Sequence, residues 1–88
     1  MPDVVIYCTR FCPYCVRARM LLDSKQIDYT EIPIDQQPER RAEMEQRSQR
    51  TSVPQIFIDD YHVGGCDDLF ALEAAGELEA KLGLSTEA

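Results

Sequence analysis

Val4-Val5-Ile6-Tyr7-Cys8-Thr9-Arg10-Phe11-Cys12-Pro13-Tyr14-Cys15-Val16 is the stretch from which the fold is read. Val4 to Cys8 is a continuous apolar run of strand length and predicts a buried central strand. Cys12 and Cys15 stand two residues apart, directly before a helix-type run from Val16 to Leu22. Pro13 suits the first helical turn, where a missing N–H costs little. Cys12 therefore falls at a helix N-terminus, where unpaired backbone N–H groups and the helix dipole favour a thiolate. Cys15 lies one turn further in, close enough to close a small disulfide ring. A strand, a CxxC and a helix in a short chain lacking extracellular marks read as a thiol–disulfide redox site.

The pattern continues downstream. Apolar Val16, Ala18, Met20, Leu21 and Leu22 dominate Cys15 to Lys25 and predict a heavily covered helix. Ile27 to Ile34 is β-branched with imperfect alternation, a second strand ending near Pro33. Pro38 opens a very polar helix to Gln49, whose only large apolar residue is Met44. Its charges can form i,i+4 pairs, and it is expected to be the loosest part of the fold. Gln55–Ile58 and Tyr61–Val63 read as a hairpin turning at Asp59-Asp60. Gly64-Gly65 ends it, and Asp67-Asp68 begins a last helix carrying Leu69, Phe70 and Leu72, interrupted at Gly76. Residues 85–88 are expected to fray. The order is β-α-β-α-β-β-α in one α/β domain over residues 1–88. The first two strands are expected to be parallel, joined by a crossover, and the last two antiparallel. The result is a mixed four-stranded sheet covered by helices, with the redox site at the C-terminal end of the first strand.

The whole chain bounds its function. With 88 residues it can bury one modest core. A net charge of −7 argues against nucleic acid and anionic membrane surfaces, both of which need clustered Lys and Arg. No apolar run approaches the roughly 20 residues of a membrane span. Met1-Pro2-Asp3 has no basic region followed by a long apolar segment, so no signal peptide is expected. Cys8, Cys12 and Cys15 crowd into one junction while Cys66 stands alone, unlike the spread cysteines of a stapled secreted domain. The cytoplasm is the expected compartment.

Cys12 is the candidate nucleophile, with Arg10 close in sequence and Arg17 and Arg19 further along the helix. Positive charge and the helix terminus both lower a thiol pKa, and only the thiolate attacks disulfides. Cys15 is the candidate resolving thiol, expected to be more buried and less acidic. Structural zinc wants four ligands, and a lone CxxC supplies two. His62, the single histidine, is expected to be merely solvated, and no metal is expected. Cys8 reads as a small buried residue. Pro54 is either a cis peptide holding a backbone edge open for an extended substrate or a simple strand-start proline. In Gly64-Gly65-Cys66-Asp67-Asp68 the glycines allow close backbone approach to a ligand. Asp67 there is either an acceptor for a ligand ammonium or a helix N-cap.

Cys12-Pro13-Tyr14-Cys15, Thr51-Ser52-Val53-Pro54-Gln55-Ile56-Phe57-Ile58 and Gly64-Gly65-Cys66-Asp67-Asp68-Leu69 together resemble the signature blocks of a dithiol glutaredoxin of the short bacterial type. The similarity covers Val4 to Leu82. The resemblance implies a thioredoxin fold and a glutathione-dependent oxidoreductase. Its substrates would be protein disulfides and protein–glutathione mixed disulfides. It implies glutathione as co-substrate, disulfide-containing or glutathionylated proteins as partners, and a monomer. It implies that Pro54 is cis and that Val53 pairs through its backbone with the cysteinyl part of glutathione. Cys66, Asp67 and the backbone after Gly65 would hold the γ-glutamyl end, with Tyr14 flanking the active thiol. The family commonly carries a lysine three residues before the nucleophile, to meet the glycine carboxylate of glutathione; here that position is Thr9, and Arg10 beside it is the candidate binding residue in its place. An iron–sulfur carrier with Cys12 and glutathione as ligands in a dimer is the alternative from another class. Pro13 stiffens the loop against that geometry. A thioredoxin-like reductant charged by a flavin reductase would lack the Gly-Gly-Cys-Asp block.

Overall fold

Side chains alternate along β1 (Val4–Cys8), sending Val4, Ile6 and Cys8 into one core and Tyr7 into another on the opposite face. A strand buried on both faces has to be central. In the computed structural model, which describes residues 2–84, β1 lies between β2 (Thr30–Pro33) and β3 (Gln55–Ile58). It pairs parallel with β2 and antiparallel with β3, and β4 (Tyr61–Gly64) extends the sheet by pairing antiparallel with β3. The strand order is β2-β1-β3-β4, the mixed four-stranded sheet expected from the sequence. Residues 85–88 lie outside the described residues.

Helix α1 (Pro13–Ser24), α3 (Cys66–Ala74) and α4 (Leu78–Lys81) cover the Val4–Ile6–Cys8 face. Cys15, Ala18 and Leu22 are the buried residues of α1, at helical spacing i, i+3 and i+7. Leu69 and Leu78 complete that core from α3 and α4. Helix α2 (Pro38–Ser48) covers the other face through Met44, packed with Tyr7, Ile32, Ile34 and Phe57. No helix among the described residues is long and apolar enough to cross a membrane.

Three expectations change. Helix α1 is not heavily covered: Val16 is 41% and Met20 65% exposed, because the helix rests on the sheet along one stripe only. The second strand begins at Thr30 rather than Ile27. Gln26 turns the chain through the left-handed region at φ 58°, and Ile27 is buried as a loop residue. The last helix begins at Cys66, one residue before Asp67, because Gly65 is its N-cap.

Polar contacts add to the single apolar anchor of α2. The Tyr7 hydroxyl donates to the Glu43 carboxylate and accepts from Arg47 Nη1 at 2.9 Å. The Arg47 guanidinium lies 4.0 Å from the Phe57 ring centroid, a cation–π contact on the same face. Tyr7, fully buried, is thus the element through which the central strand reaches the polar helix.

Candidate active site

The turn from β1 into α1 places the sulfur. Cys12 is the N-cap of α1, with extended dihedrals (φ −104°, ψ 113°), and Pro13 opens the helix. The Cys12 carbonyl takes the first helical hydrogen bond, from Val16 N–H at 3.1 Å. Cys12 is half-buried, whereas Cys8, Cys15 and Cys66 are buried. Phe11 and Tyr14 flank it, both exposed. Across the sheet end the Val53–Pro54 bond is cis, and the Val53 carbonyl lies 3.9 Å from the Cys12 sulfur.

The thiols titrate as a group rather than singly. Burial pushes the Cys12 thiol up, while the backbone N–H groups of Cys15 and Tyr14 at the helix start oppose it. The Cys15 thiol is pulled down, chiefly by the neighbouring Cys8 thiol and against its own burial. Cys8 is pushed far up by Cys15 and by burial, and so keeps its proton. The Cys12 and Cys15 directions both run against the expectation of a lowered Cys12 thiol and a less acidic Cys15, while Cys15 is the more buried of the two as expected. Burial and the Asp67 charge push the Cys66 thiol up, which makes it a poor nucleophile at neutral pH.

Arg10 has an acidic partner. Its Nε pairs with Asp35 Oδ2 at 3.2 Å, and its backbone N–H reaches the same oxygen at 3.3 Å. That contact holds Arg10 beside the loop after β2.

A groove of about 300 Å³ opens beside the Cys12–Val53 contact. Tyr14, Val53, Pro54, Gly65, Cys66 and Asp67 line it, so the structure brings together every expected binding residue except Arg10. It adds Arg50, Ser52 and Asp68, to which sequence reasoning gave no binding role. The one signal for Arg50 was its place directly before the Thr51-Ser52-Val53-Pro54 block. A second, more apolar groove of about 520 Å³ runs between α1 and α3 and shares Cys66 and Asp67.

The two aspartates at the start of α3 differ. Asp68 is the capping group: its Oδ2 accepts the Gly65 N–H at 2.9 Å and pairs with Arg50 Nη1 at 3.0 Å. Both contacts hold its carboxyl below the ordinary range. Gly64 makes this possible, since its φ is 113° and a Cβ there would collide with the Asp68 carboxylate. Asp67 is exposed, and its carboxylate has no hydrogen-bond or ion-pair partner among the described residues. The N-cap alternative for Asp67 is thereby removed.

Gln55, directly after Pro54, is fully buried and bonded at both ends of its amide. Its Nε2 donates to the Ser52 carbonyl at 3.0 Å, and its Oε1 meets His62 Nε2 at 2.7 Å. His62 is therefore not simply solvated: it also stacks on Phe57 with centroids 4.8 Å apart. This network underpins the Ser52–Pro54 edge of the groove, and the alternation of the sequence gave no sign of it.

A vicinal thiol pair at a helix start, set against a cis-proline edge, defines a dithiol oxidoreductase of thioredoxin-like fold. The chain belongs to the glutaredoxin family, the glutathione-dependent thiol–disulfide oxidoreductases: the Glutaredoxin family model matches residues 4–63. It is 57% identical over 82 residues to a glutaredoxin of Pseudomonas aeruginosa, covering 93% of this chain and 98% of that protein. It is 55% identical over 82 residues to glutaredoxin 3 of Escherichia coli K12, covering 93% and 99%. A buckwheat glutaredoxin–glutathione complex has a similar structure, with a TM-score of 0.86 at 29% identity, over 93% of this chain and 77% of that one.

The His62 contacts carry a pH dependence. Burial, then the Arg50 charge, push its imidazole below the ordinary value. The folded state thus binds this proton less readily than the unfolded chain. The stability held by neutral His62 is complete above pH ~6.5 and is lost as pH falls below that value. Urea unfolding at a series of pH values should show this slope in the unaltered protein and a flatter one in His62→Gln. Parallel curves would show that His62 does not titrate differently on folding.

Proposed function

We propose that the chain reduces protein disulfides and protein–glutathione mixed disulfides through Cys12 and Cys15. The observation that carries this reading is that Cys12 alone of the four thiols is not buried, and that it sits at a helix start beside the groove. The Cys12 thiolate attacks a substrate sulfur, and the substrate's other sulfur leaves as a thiolate. For a protein disulfide, Cys15 then attacks the Cys12 sulfur, closes the Cys12–Cys15 disulfide and frees the substrate thiol. One glutathione thiolate opens that disulfide at Cys12. A second attacks the Cys12-bound glutathione and leaves as oxidised glutathione, restoring both thiols.

Glutathione is an anion, and the chain carries −7, so the local donors must outweigh the overall field. The Val53 backbone is suited to the cysteinyl amide. The N-terminus of α3 after Gly65 is suited to the γ-glutamyl carboxylate, and the unpartnered Asp67 carboxylate to its ammonium. Arg50 is the cation that lines the groove, at the start of α3 where it pairs with Asp68, whereas Arg10, paired with Asp35, lies outside that lining. Binding of glutathione by the buckwheat relative supports glutathione as the ligand. Four free cysteines suit a reducing compartment, and we place the protein in the cytoplasm as a monomer.

Cys12→Ser should abolish turnover of both substrate types in a coupled glutathione reductase assay, and activity above a few per cent would sink the assignment. Cys15→Ser should keep deglutathionylation, since glutathione itself resolves that intermediate. It should slow protein-disulfide reduction roughly ten-fold or more, because an intramolecular step is lost. Equal loss of both activities would give Cys15 a different role.

Asp67→Ala should raise the KM for glutathione roughly ten-fold, the loss of one charged hydrogen bond. Its urea midpoint should stay near that of the unaltered protein, because Asp68 and not Asp67 caps α3. An unchanged KM would move the γ-glutamyl group away from this helix.

A further inference from the structure

The reaction above gives no role to the second groove, of about 520 Å³ between α1 and α3. The buried stripe of α1 leaves Arg17, Met20 and Leu21 on one flank of the helix, at spacing i, i+3 and i+4. That flank is one wall. Phe70, one turn after Cys66 on α3, stands in the other wall with Cys66 and Asp67. Leu21 packs against the core, but Met20 is 65% and Phe70 44% exposed. Apolar surface gathered in a groove, rather than scattered singly, marks a binding surface. The groove is continuous with the first, because Cys66 and Asp67 line both. Its α1 wall also carries an unused cation. Of the nine Lys and Arg side chains, Arg17 alone makes no hydrogen bond, ion pair or ring contact among the described residues. With 16 Asp and Glu in the chain, that cation is left over despite an excess of acids.

We propose that this groove docks the polypeptide arm of a protein-disulfide substrate, taking a large apolar side chain over Met20, Leu21 and Phe70 and a carboxylate at Arg17. The proposal rests on the reading of protein disulfides as substrates and of the first groove as the glutathione site. In that reading a substrate cysteine joined to Cys12 lies along the Val53 backbone, as the cysteinyl part of glutathione does. Glutathione ends at its γ-glutamyl group, against Asp67. A polypeptide continues, at about 3.3 Å per extended residue, and its next residues pass over Cys66 and Asp67 into the second groove. Successive side chains of an extended arm point opposite ways, so a residue facing the apolar floor has neighbours facing the rim. Arg17 and Asp67 stand on opposite walls, which sets the sign of the rim contact. A carboxylate is drawn to the α1 wall and turned away from the α3 wall. The net charge of −7 opposes an acidic arm only weakly, since exposed charges beyond about 8 Å are screened at physiological salt. Glutathione is too short to use this groove, so the groove separates polypeptide substrates from the co-substrate although both react at Cys12.

The probes are capped heptapeptides with one central cysteine, oxidised to symmetric disulfides and reduced by glutathione in the coupled reductase assay. Two of them carry Phe and Asp, one on the N-terminal and one on the C-terminal side of the cysteine. A reference peptide carries Ser and Asn instead, and hydroxyethyl disulfide, which has no polypeptide, is the control. The full chain should show a KM roughly ten-fold lower for one of the Phe–Asp peptides than for the reference. Met20→Ala and Phe70→Ala, both at exposed positions, should each raise that KM roughly three-fold or more and leave turnover of the control unchanged. Arg17→Gln should raise it about three-fold and remove its dependence on salt. Equal KM values for the three peptides would overturn the proposal, as would a preference that survives both alanine changes together. Equal loss toward peptide and control would overturn it too, by making the groove part of the glutathione site. A dimer in sedimentation that Phe70→Ala dissociates would give the groove to a second copy of the chain and overturn it. Failure to turn over any peptide disulfide, with the control still reduced, would instead overturn the reading of protein disulfides as substrates, and this proposal with it.

Discussion

The contact of the Cys15–Ala18–Leu22 stripe of α1 with the Val4–Ile6–Cys8 face of β1 sets everything else in this molecule. Burying a side chain such as Ile6 or Leu22 is worth about 1.5–3 kcal/mol, so the stripe cannot rotate out without losing much of a small domain's stability. Once it is seated, Cys12 has one place to be. It precedes the first turn, caps the helix, and stands at the edge of the core rather than in it. The exposure of one sulfur and the burial of the other follow from their positions relative to this stripe, three residues apart on one helix. The second edge of the site is set independently. Gln55 is drawn into the core on β3 and bonds both to Ser52 and to His62, which fixes the chain entering Val53 and Pro54.

Charge is handled locally. The chain is acidic overall, yet both its thiolate chemistry and its ligand are anionic. Surface charges more than about 8 Å away are largely screened at physiological salt, so the near neighbours decide. Those neighbours are two helix N-termini, those of α1 and α3, together with Arg50 and Arg19. Asp68 spends its charge on the Gly65 N–H and on Arg50, which orders the start of α3. Asp67, next to it, lies in the groove wall with no partner among the described residues. Two adjacent aspartates thus have separate tasks, and only their hydrogen bonds tell them apart.

Much of the fold was legible in the sequence. The apolar run of β1, the Asp59-Asp60 turn and the prolines opening α1 and α2 all lie where local chemistry puts them. The three site blocks were legible through their resemblance to a family, and six of the expected binding residues do share one groove. What failed depends on contacts distant in sequence. Arg10 is the nearest cation to Cys12 in the sequence, but it pairs with Asp35 and does not line the groove. Arg50 reaches the groove through a pairing with Asp68 that no spacing announces. The apolar residues of α1 suggested full cover, yet sequence does not say that one side of the helix has no neighbour. The reading of Cys8 as a small buried residue holds, since it has no exposed surface and packs in the core.

The central claim is that the strand–helix junction leaves a single thiol able to exchange with a disulfide. The direct test is to treat the Cys15→Ser variant with limiting oxidised glutathione, block the remaining thiols, digest with trypsin and map the bound glutathione by mass spectrometry. Cleavage after Arg10 separates Cys8 from Cys12, so every site is distinguishable. The account predicts glutathione on the Cys12 peptide alone. Substantial glutathione on the Cys8 or Cys66 peptide would contradict it.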